Sequence, residues 1–260
     1  MSSSFYQQRP PIPRYSVVFE WAPFEGYLTT LVPLTSLDQA LLTRKTLTLL
    51  KMVTLARGIE LADLTMGGIE FRQGRLILRC LMTKGTGVMS NFQKSTIHPV
   101  VVDPCRVAAL CPVSHLWRYL TLTKSQRRAP PAPGGNRLLI DKRPVFLYVN
   151  GSGRPLTAQR IAKMVKMVMT DGGVDTTVYK SHSLRAVCAT RAIEAGAALD
   201  DVLKQGGWSS DFVFRKFYDL APPKVAFTDS VLLGDRIGLP DQVAALGLVD
   251  EDRQVELLGL

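Results

Sequence analysis

The sequence predicts a mainly α-helical domain that carries a small antiparallel β-sheet. Three observations lead there. Ser36 followed three residues later by Gln39 forms a capping-box pattern, and Leu42, Leu49, Leu50, Val53 and Ala56 follow at helical spacing with Thr46 as the polar gap, so a long, largely buried helix runs to about Ala56. The runs GGIEF and RLILRCL flank Arg72, Gln73 and Gly74 as the arms of a hairpin would, and IHPVVV supplies a third β-prone run. Further on, Thr157 caps a segment with Ile161, Val165 and Val168 on one face, which is again a helix.

Residues 1–34 mix prolines, aromatics and polar residues without helical or alternating periodicity, and they read as an extended arm that ends near Pro33. The main domain then spans 35–220. A second short helix is expected around Ile59 to Leu64. The polar stretch TKGTGVMSNFQKST between the second and third strands places Lys84 at their connecting tip. Pro112 opens a helix with Val113, Leu116, Trp117, Tyr119 and Leu120, because the first turn does not need the missing N–H. Residues 124–143 turn rich in Arg, Pro and Gly and are expected as an exposed loop. PVFLYV reads as a strand or as buried extended chain, and NGSGRP as a turn. The tail, 221–260, becomes apolar and acidic, and either packs in cis or exchanges between protomers.

A formal net charge of +10 over 260 residues favours a polyanionic partner over a small neutral substrate. Arg160, Lys163 and Lys166 interleave with the apolar positions of their helix, giving a face that either lies on phosphates or is simply solvated. Cys80, Cys105, Cys111 and Cys188 form no CxxC pair, and Cys111 with His115 is at most half a zinc site, so the cysteines read as small core residues of a reducing compartment. The N-terminus lacks the basic start and apolar stretch of a signal peptide, and no apolar run reaches membrane-spanning length, so a soluble intracellular protein is expected.

The segment from Ser181 to Leu220 concentrates the chemistry. His182 and Arg185 stand three apart at the start of an apparent helix, where free backbone N–H groups favour anions and an arginine fork fits phosphate oxygens. A short helix Leu199 to Gln205 leads into Gly206, Gly207 and Trp208, and Tyr218 closes the amphipathic run FVFRKFY. This order, His-x-x-Arg, then Trp after glycine, then Tyr about one helix later, resembles the tyrosine recombinase (phage integrase) family. Arg57 with Glu60 and Leu61 matches the family's upstream Arg-x-x-Glu-Leu, and Lys84 in LMTKGTG, or nearby Lys94, matches its hairpin lysine. The resemblance is closest to the eukaryotic mobile-element branch, in which FRKFY is familiar, and the arm RPPIPRY and the stretch CPVSHLWRYL look like segments of transposon-encoded members.

The resemblance implies the fold of DNA breaking-rejoining catalytic domains and a strand transfer without metal, ATP or other cofactor. Tyr218 would attack the scissile phosphate, Arg57 and Arg185 would hold its non-bridging oxygens, and Lys84 would protonate the leaving oxygen. His182 would exchange a proton with Tyr218, Trp208 would wall the site, and Glu60 would orient Arg57. Double-stranded DNA is the implied partner, with Lys94, Arg160, Lys163, Lys166, Arg215 and Lys216 as candidate backbone contacts and self-assembly as a dimer or tetramer on it. No membrane or small-molecule substrate is expected, and residence is nuclear if the branch is eukaryotic. Two features depart from the pattern. Tyr218 lies ten residues after Trp208 where nine is common, which puts Phe217 at the counted position, and no core-binding domain precedes the catalytic one, as in a fragment or degenerate element. A decayed DNA-binding remnant and a type IB topoisomerase-like relaxing enzyme are the competing readings.

Overall fold

A helix buried on almost every side organises the chain. In the computed structural model, which describes residues 19–81, 97–129, 141–208, 211, 214 and 215, the elements are α1 (Trp21–Thr30), α2 (Gln39–Thr54), α3 (Gly58–Ala62), β1 (Ile69–Arg72), β2 (Arg75–Leu81), β3 (Ile97–Val102), α4 (Pro112–Leu122), α5 (Ala158–Asp171), α6 (Ser183–Glu194) and α7 (Leu199–Gly206). Helix α2 is the central one, packed against α4, α5 and α6, while α3 lies on α5 and α7 on α6.

Leu42, Leu47, Leu49 and Leu50 fill the core around α2. Its cap is Asp38, whose carboxylate accepts from the Leu41 N–H at 2.6 Å. Ser36, expected in that role, instead donates its hydroxyl to the Pro33 carbonyl. Val53, expected in the buried stripe, is 37% exposed. The polar side chains of α2 are buried instead: Thr43, Lys45, Thr46, Thr48, Lys51 and Thr54. Burial of these groups is tolerable because they find acceptors locally. Thr43, Thr48 and Thr54 donate to the carbonyls of Gln39, Arg44 and Leu50, one turn back, and the Lys45 ammonium donates to the Leu31 carbonyl at 2.8 Å.

The sheet has the expected order, β1-β2-β3, with both pairs antiparallel. Gln73 and Gly74 make the two-residue turn, both at positive φ (51° and 77°), the combination that matches the right-handed twist of a hairpin. Register places Ile69 opposite Leu78 and Leu78 opposite Val100, so one face is apolar and buried. The other carries Glu70 and Arg79, joined at 2.8 Å. Helix α4 starts at Pro112 and α5 behind Thr157, whose hydroxyl accepts from the Arg160 N–H. Val145, Phe146 and Leu147 are buried, the first two in a bend between the short bridges Thr65 to Pro144 and Leu147 to Pro155, where a strand or extended chain was expected.

The arm departs from expectation at Trp21–Thr30, which is a helix and not extended chain. Phe24 and Leu28 point into the core, and Trp21 stacks under the Arg191 guanidinium at 4.1 Å. Aromatic burial and this cation-π contact stabilise a helix whose local pattern is too weak to announce itself. Residues 1–18, the strand connection 82–96, the stretch 130–140 within the proline-rich loop, and the tail 221–260 lie outside the described residues. Lys124–Gln126, at the start of that loop, is a 3-10 turn.

Cys111 and Cys188 are buried and half-buried, whereas Cys105 is exposed, contrary to a core assignment for it. His115 is a core residue: its Nδ1 donates to the Cys111 carbonyl at 2.7 Å, and desolvation lowers its pKa from 6.5 to about 4. Among the described residues no group of three or more His, Cys, Asp or Glu side chains is placed to hold a metal, and no helix is long and apolar enough to cross a membrane. Because the folded state resists protonating His115, its contribution is complete above the unfolded pKa and is lost as pH falls from about 6.5 towards 4. At pH 5 this amounts to about 2 kcal/mol. Urea melts at pH 7 and pH 5 should therefore differ by less in His115→Leu than in wild type. An unchanged pH difference would show that His115 titrates alike in both states.

Candidate active site

Six residues were expected to carry the chemistry, and α3, α6 and the turn after α7 position four of them: Arg57, His182, Arg185 and Trp208. Lys84, the alternative Lys94, Lys216 and Tyr218 lie outside the described residues. Helix α2 ends at Leu55, which adopts a left-handed φ of 52°, and this reversal delivers Arg57 to the N-cap of α3. Glu60, nearly buried, accepts from the Arg57 N–H at 2.6 Å and from its guanidinium at 2.7 Å. One carboxylate thus caps the helix and fixes the arginine rotamer, with the Arg57 side chain still 43% exposed. The expected orienting role of Glu60 has this geometry behind it.

Arg185, in the first turn of α6, is fully buried. Its Nη1 donates to the Leu55 carbonyl and its Nη2 to the Gly206 carbonyl at 2.6 Å. One guanidinium therefore joins the turn before Arg57 to the turn before Trp208, and the Trp208 ring covers it at 3.9 Å. Phe214 closes the layer, edge-on to Trp208 at 4.9 Å. His182 is the exposed N-cap of α6, its backbone carbonyl accepting from the Arg185 N–H. Gln205 adds a brace by donating to the Val53 carbonyl at 2.8 Å, which links α7 to the end of α2.

The two glycines before Trp208 have different reasons to be there. Gly207 caps α7 at φ 65°, a conformation open to glycine. Gly206 makes room: a Cβ there would sit 1.9 Å from Trp208 Cζ3. Helix propensity alone favours Gly206→Ala by about 1 kcal/mol. The close approach predicts the reverse, with Trp208 pushed off Arg185, a lower Tm and impaired DNA capture. A more stable, equally active Gly206→Ala would show that the stack is dispensable.

Sequence reasoning missed Lys51, which is 2% exposed and donates from Nζ to the Ala56 carbonyl at 2.9 Å. Burial, with Arg185 acting in the same direction, lowers its pKa to about 8. A lysine six residues before Arg57 on a helix otherwise rich in leucine and threonine was the available signal. Cys188, also close to Lys51, has its thiol pushed up to about 12 by desolvation, so it is an inert packing group. Arg160, Lys163 and Lys166 are exposed on α5 as the pattern required, and Arg215 is exposed and paired with Asp211 at 3.7 Å. A cavity of about 950 Å³ lies elsewhere, beyond the C-terminus of α3, and is lined by Arg127, Arg128, Lys142, Arg143 and Arg154 among others. None of the described candidate catalytic residues lines it.

The chain matches the phage integrase family over residues 31–222, and it belongs to that family. Among solved structures it is similar to the XerH site-specific recombinase bound to palindromic difH substrate, with 17% identity over 80% of this chain and 49% of that one, and a TM-score of 0.52. It is also similar to the Tn1549 transposon integrase in complex with transposon right-end DNA, with 17% identity over 91% of this chain and 70% of that one, and a TM-score of 0.57. At such identities the likeness is one of fold: a mainly helical domain with a small antiparallel sheet. The chain spans about half the length of the XerH chains it matches. No curated protein matches it.

Proposed function

We propose that this chain is a site-specific DNA recombinase that cuts and rejoins double-stranded DNA through a 3′-phosphotyrosyl intermediate, without metal or ATP. The observation that carries the reading is the single buried guanidinium of Arg185, which gathers the Arg57 turn and the Trp208 turn into one cationic site. Family membership and the net charge of +10 support the same reading.

In this mechanism Tyr218 attacks the scissile phosphorus in line, forming the O–P bond of the adduct while the bond to the 5′-oxygen breaks. Negative charge accumulates on the non-bridging oxygens, and preorganised cations lower the barrier most where that charge develops. Arg57, held by Glu60 yet half exposed, and exposed His182 present the groups a phosphate can reach. Arg185, expected to fork onto the non-bridging oxygens as well, is buried with Nη1 and Nη2 on main-chain carbonyls, so in this mechanism it holds their framework from behind and adds its charge. Lys84, or Lys94 on the same connection, protonates the departing 5′-oxygen, and His182 takes the phenol proton. Rejoining reverses each step, and the phosphotyrosyl bond conserves the energy of the one it replaced.

DNA is the proposed partner, with Arg160, Lys163 and Lys166 on phosphates. The XerH chain that this one resembles was solved on a palindromic substrate, and a palindrome invites two protomers, so assembly on DNA belongs to the proposal. So does the finer placement in the eukaryotic mobile-element branch, with nuclear residence. It rests on FRKFY and the arm, whereas the similar structures named above are a Xer recombinase and a transposon integrase. The test incubates the full chain with nicked suicide duplexes from the ends of its parent element in EDTA, followed by a denaturing gel. A covalent adduct supports recombinase chemistry, and relaxation of a plasmid bearing no such end would favour a topoisomerase. Salt-sensitive binding without any adduct would leave a decayed DNA-binding remnant.

A further inference from the structure

We propose that Lys51 is a positioning residue for the recombination site, holding the Leu55–Arg57 turn from behind so that Arg57 keeps its aim at the phosphate. The inference rests on the recombinase reading above and concerns a buried cation that the mechanism leaves without a task.

Two buried cations bond consecutive carbonyls at the end of α2. Arg185 takes the carbonyl of Leu55 and Lys51 takes that of Ala56. The next residue is Arg57, at the N-cap of α3. Leu55 sits in the left-handed region, where its Cβ crowds the following carbonyl oxygen, so the turn needs external fixing. The last carbonyls of a helix lack partners within it, and a basic residue in the last turn commonly meets them at the surface. Lys51 differs in being buried and in reaching beyond the C-cap to a carbonyl adjoining Arg57.

The surroundings fit this role. Arg185 and Arg57 both act against the Lys51 charge, while Glu60 acts for it, so all three stand within electrostatic range. Keeping an ammonium there is unfavourable, and its depressed pKa of about 8 measures that. An apolar residue of the same length would avoid the penalty but leave the Ala56 carbonyl without this donor. The peptide joining Ala56 to Arg57 would then keep its N–H anchor on Glu60 but lose its carbonyl anchor, so the turn that carries Arg57 would loosen and the guanidinium would sample a wider range of positions.

The experiment compares wild type, Lys51→Met and Lys51→Gln as full chains, reading DNA affinity, single-turnover capture of a suicide duplex, and amide exchange along the chain. Lys51→Met is expected to bind DNA within about threefold of wild type, to capture it at least tenfold more slowly at saturation, and to exchange about tenfold faster at residues 56–60 alone. Lys51→Gln keeps an N–H donor and should recover part of both losses. Unchanged capture and exchange in a folded Lys51→Met would overturn the proposal, as would faster exchange spread evenly along α2, the mark of a purely structural lysine. If Lys51→Met does not fold, Lys51→Gln against wild type decides by the same two readouts. Absence of capture in wild type would sink the recombinase reading, and the exchange comparison would still decide whether Lys51 holds the turn.

Discussion

Arg185→Ala is expected to lower the stability of the domain by about 3–4 kcal/mol and to remove DNA capture altogether. The first figure follows from what the guanidinium holds. It supplies donors to two buried carbonyls, each of which loses about 1–3 kcal/mol when left unsatisfied, and it supports the Trp208 ring, so truncation also opens a cavity. Loss of activity follows because the same bonds connect the Arg57 turn with the Trp208 turn. Arg185→Lys separates the two effects. Its ammonium keeps the charge but lacks the planar fork that spans both carbonyls, so stability should recover in part while capture stays far below wild type. Urea melts and the suicide-duplex gel read the two quantities. An Arg185→Ala protein with wild-type Tm would mean that the two turns are held by other contacts, and Gln205 at the Val53 carbonyl is the first to consider.

What could be read in advance is instructive by element. The hairpin was legible because Gln73-Gly74 between β-prone runs has few alternatives to a tight turn, and the third strand because IHPVVV is rich in β-branched residues. Helices α4 and α5 announced themselves through a proline in the first turn and a threonine cap. Helix α1 did not, since its stability comes from distant partners, Arg191 over Trp21 and Tyr179 against Phe19, which no local pattern reveals. Helix α2 was recognised but misjudged in kind. A helix buried all round need not be apolar all round when threonines bond back to their own turn and lysines reach loop carbonyls.

The site divides along the same line. His182, Arg185, Trp208, Arg57 and Glu60 could be chosen because their order resembles the pattern of the tyrosine recombinase family, with only the His182–Arg185 pair suggesting a phosphate site by residue type alone. How Arg185 works could not, since the partners of its guanidinium are main-chain carbonyls, and sequence gives no sign of which carbonyl a side chain will meet. The same holds for Lys51, whose acceptor belongs to an alanine. Gly206 is an intermediate case. The pair Gly206-Gly207 was visible as the end of a short helix, but only the packed ring shows that one glycine serves conformation and the other clearance. Such clearance makes the stack sensitive to a single methyl group.

Tyr218→Phe should abolish covalent capture outright while leaving DNA affinity within about twofold of wild type, because binding is dominated by phosphate contacts that a lost hydroxyl does not touch. A free phenol has a pKa near about 10, so at neutral pH the nucleophile depends on a base and on surrounding positive charge to shed its proton. Arg57, Arg185 and Lys51, set against the Glu60 carboxylate, make this group of described residues net positive, which is the environment that phenolate formation requires. The spacing sharpens the test. Tyr218 follows Trp208 by ten residues, and a count of nine falls on Phe217, which has no group able to attack. Moving the hydroxyl back by one residue, in Phe217→Tyr combined with Tyr218→Phe, should not restore the adduct, since neighbouring side chains point in different directions in either regular backbone conformation. An adduct that survives in Tyr218→Phe would place the nucleophile on another residue and end the assignment. An adduct restored by the double variant would keep the chemistry and show that the site accepts either register.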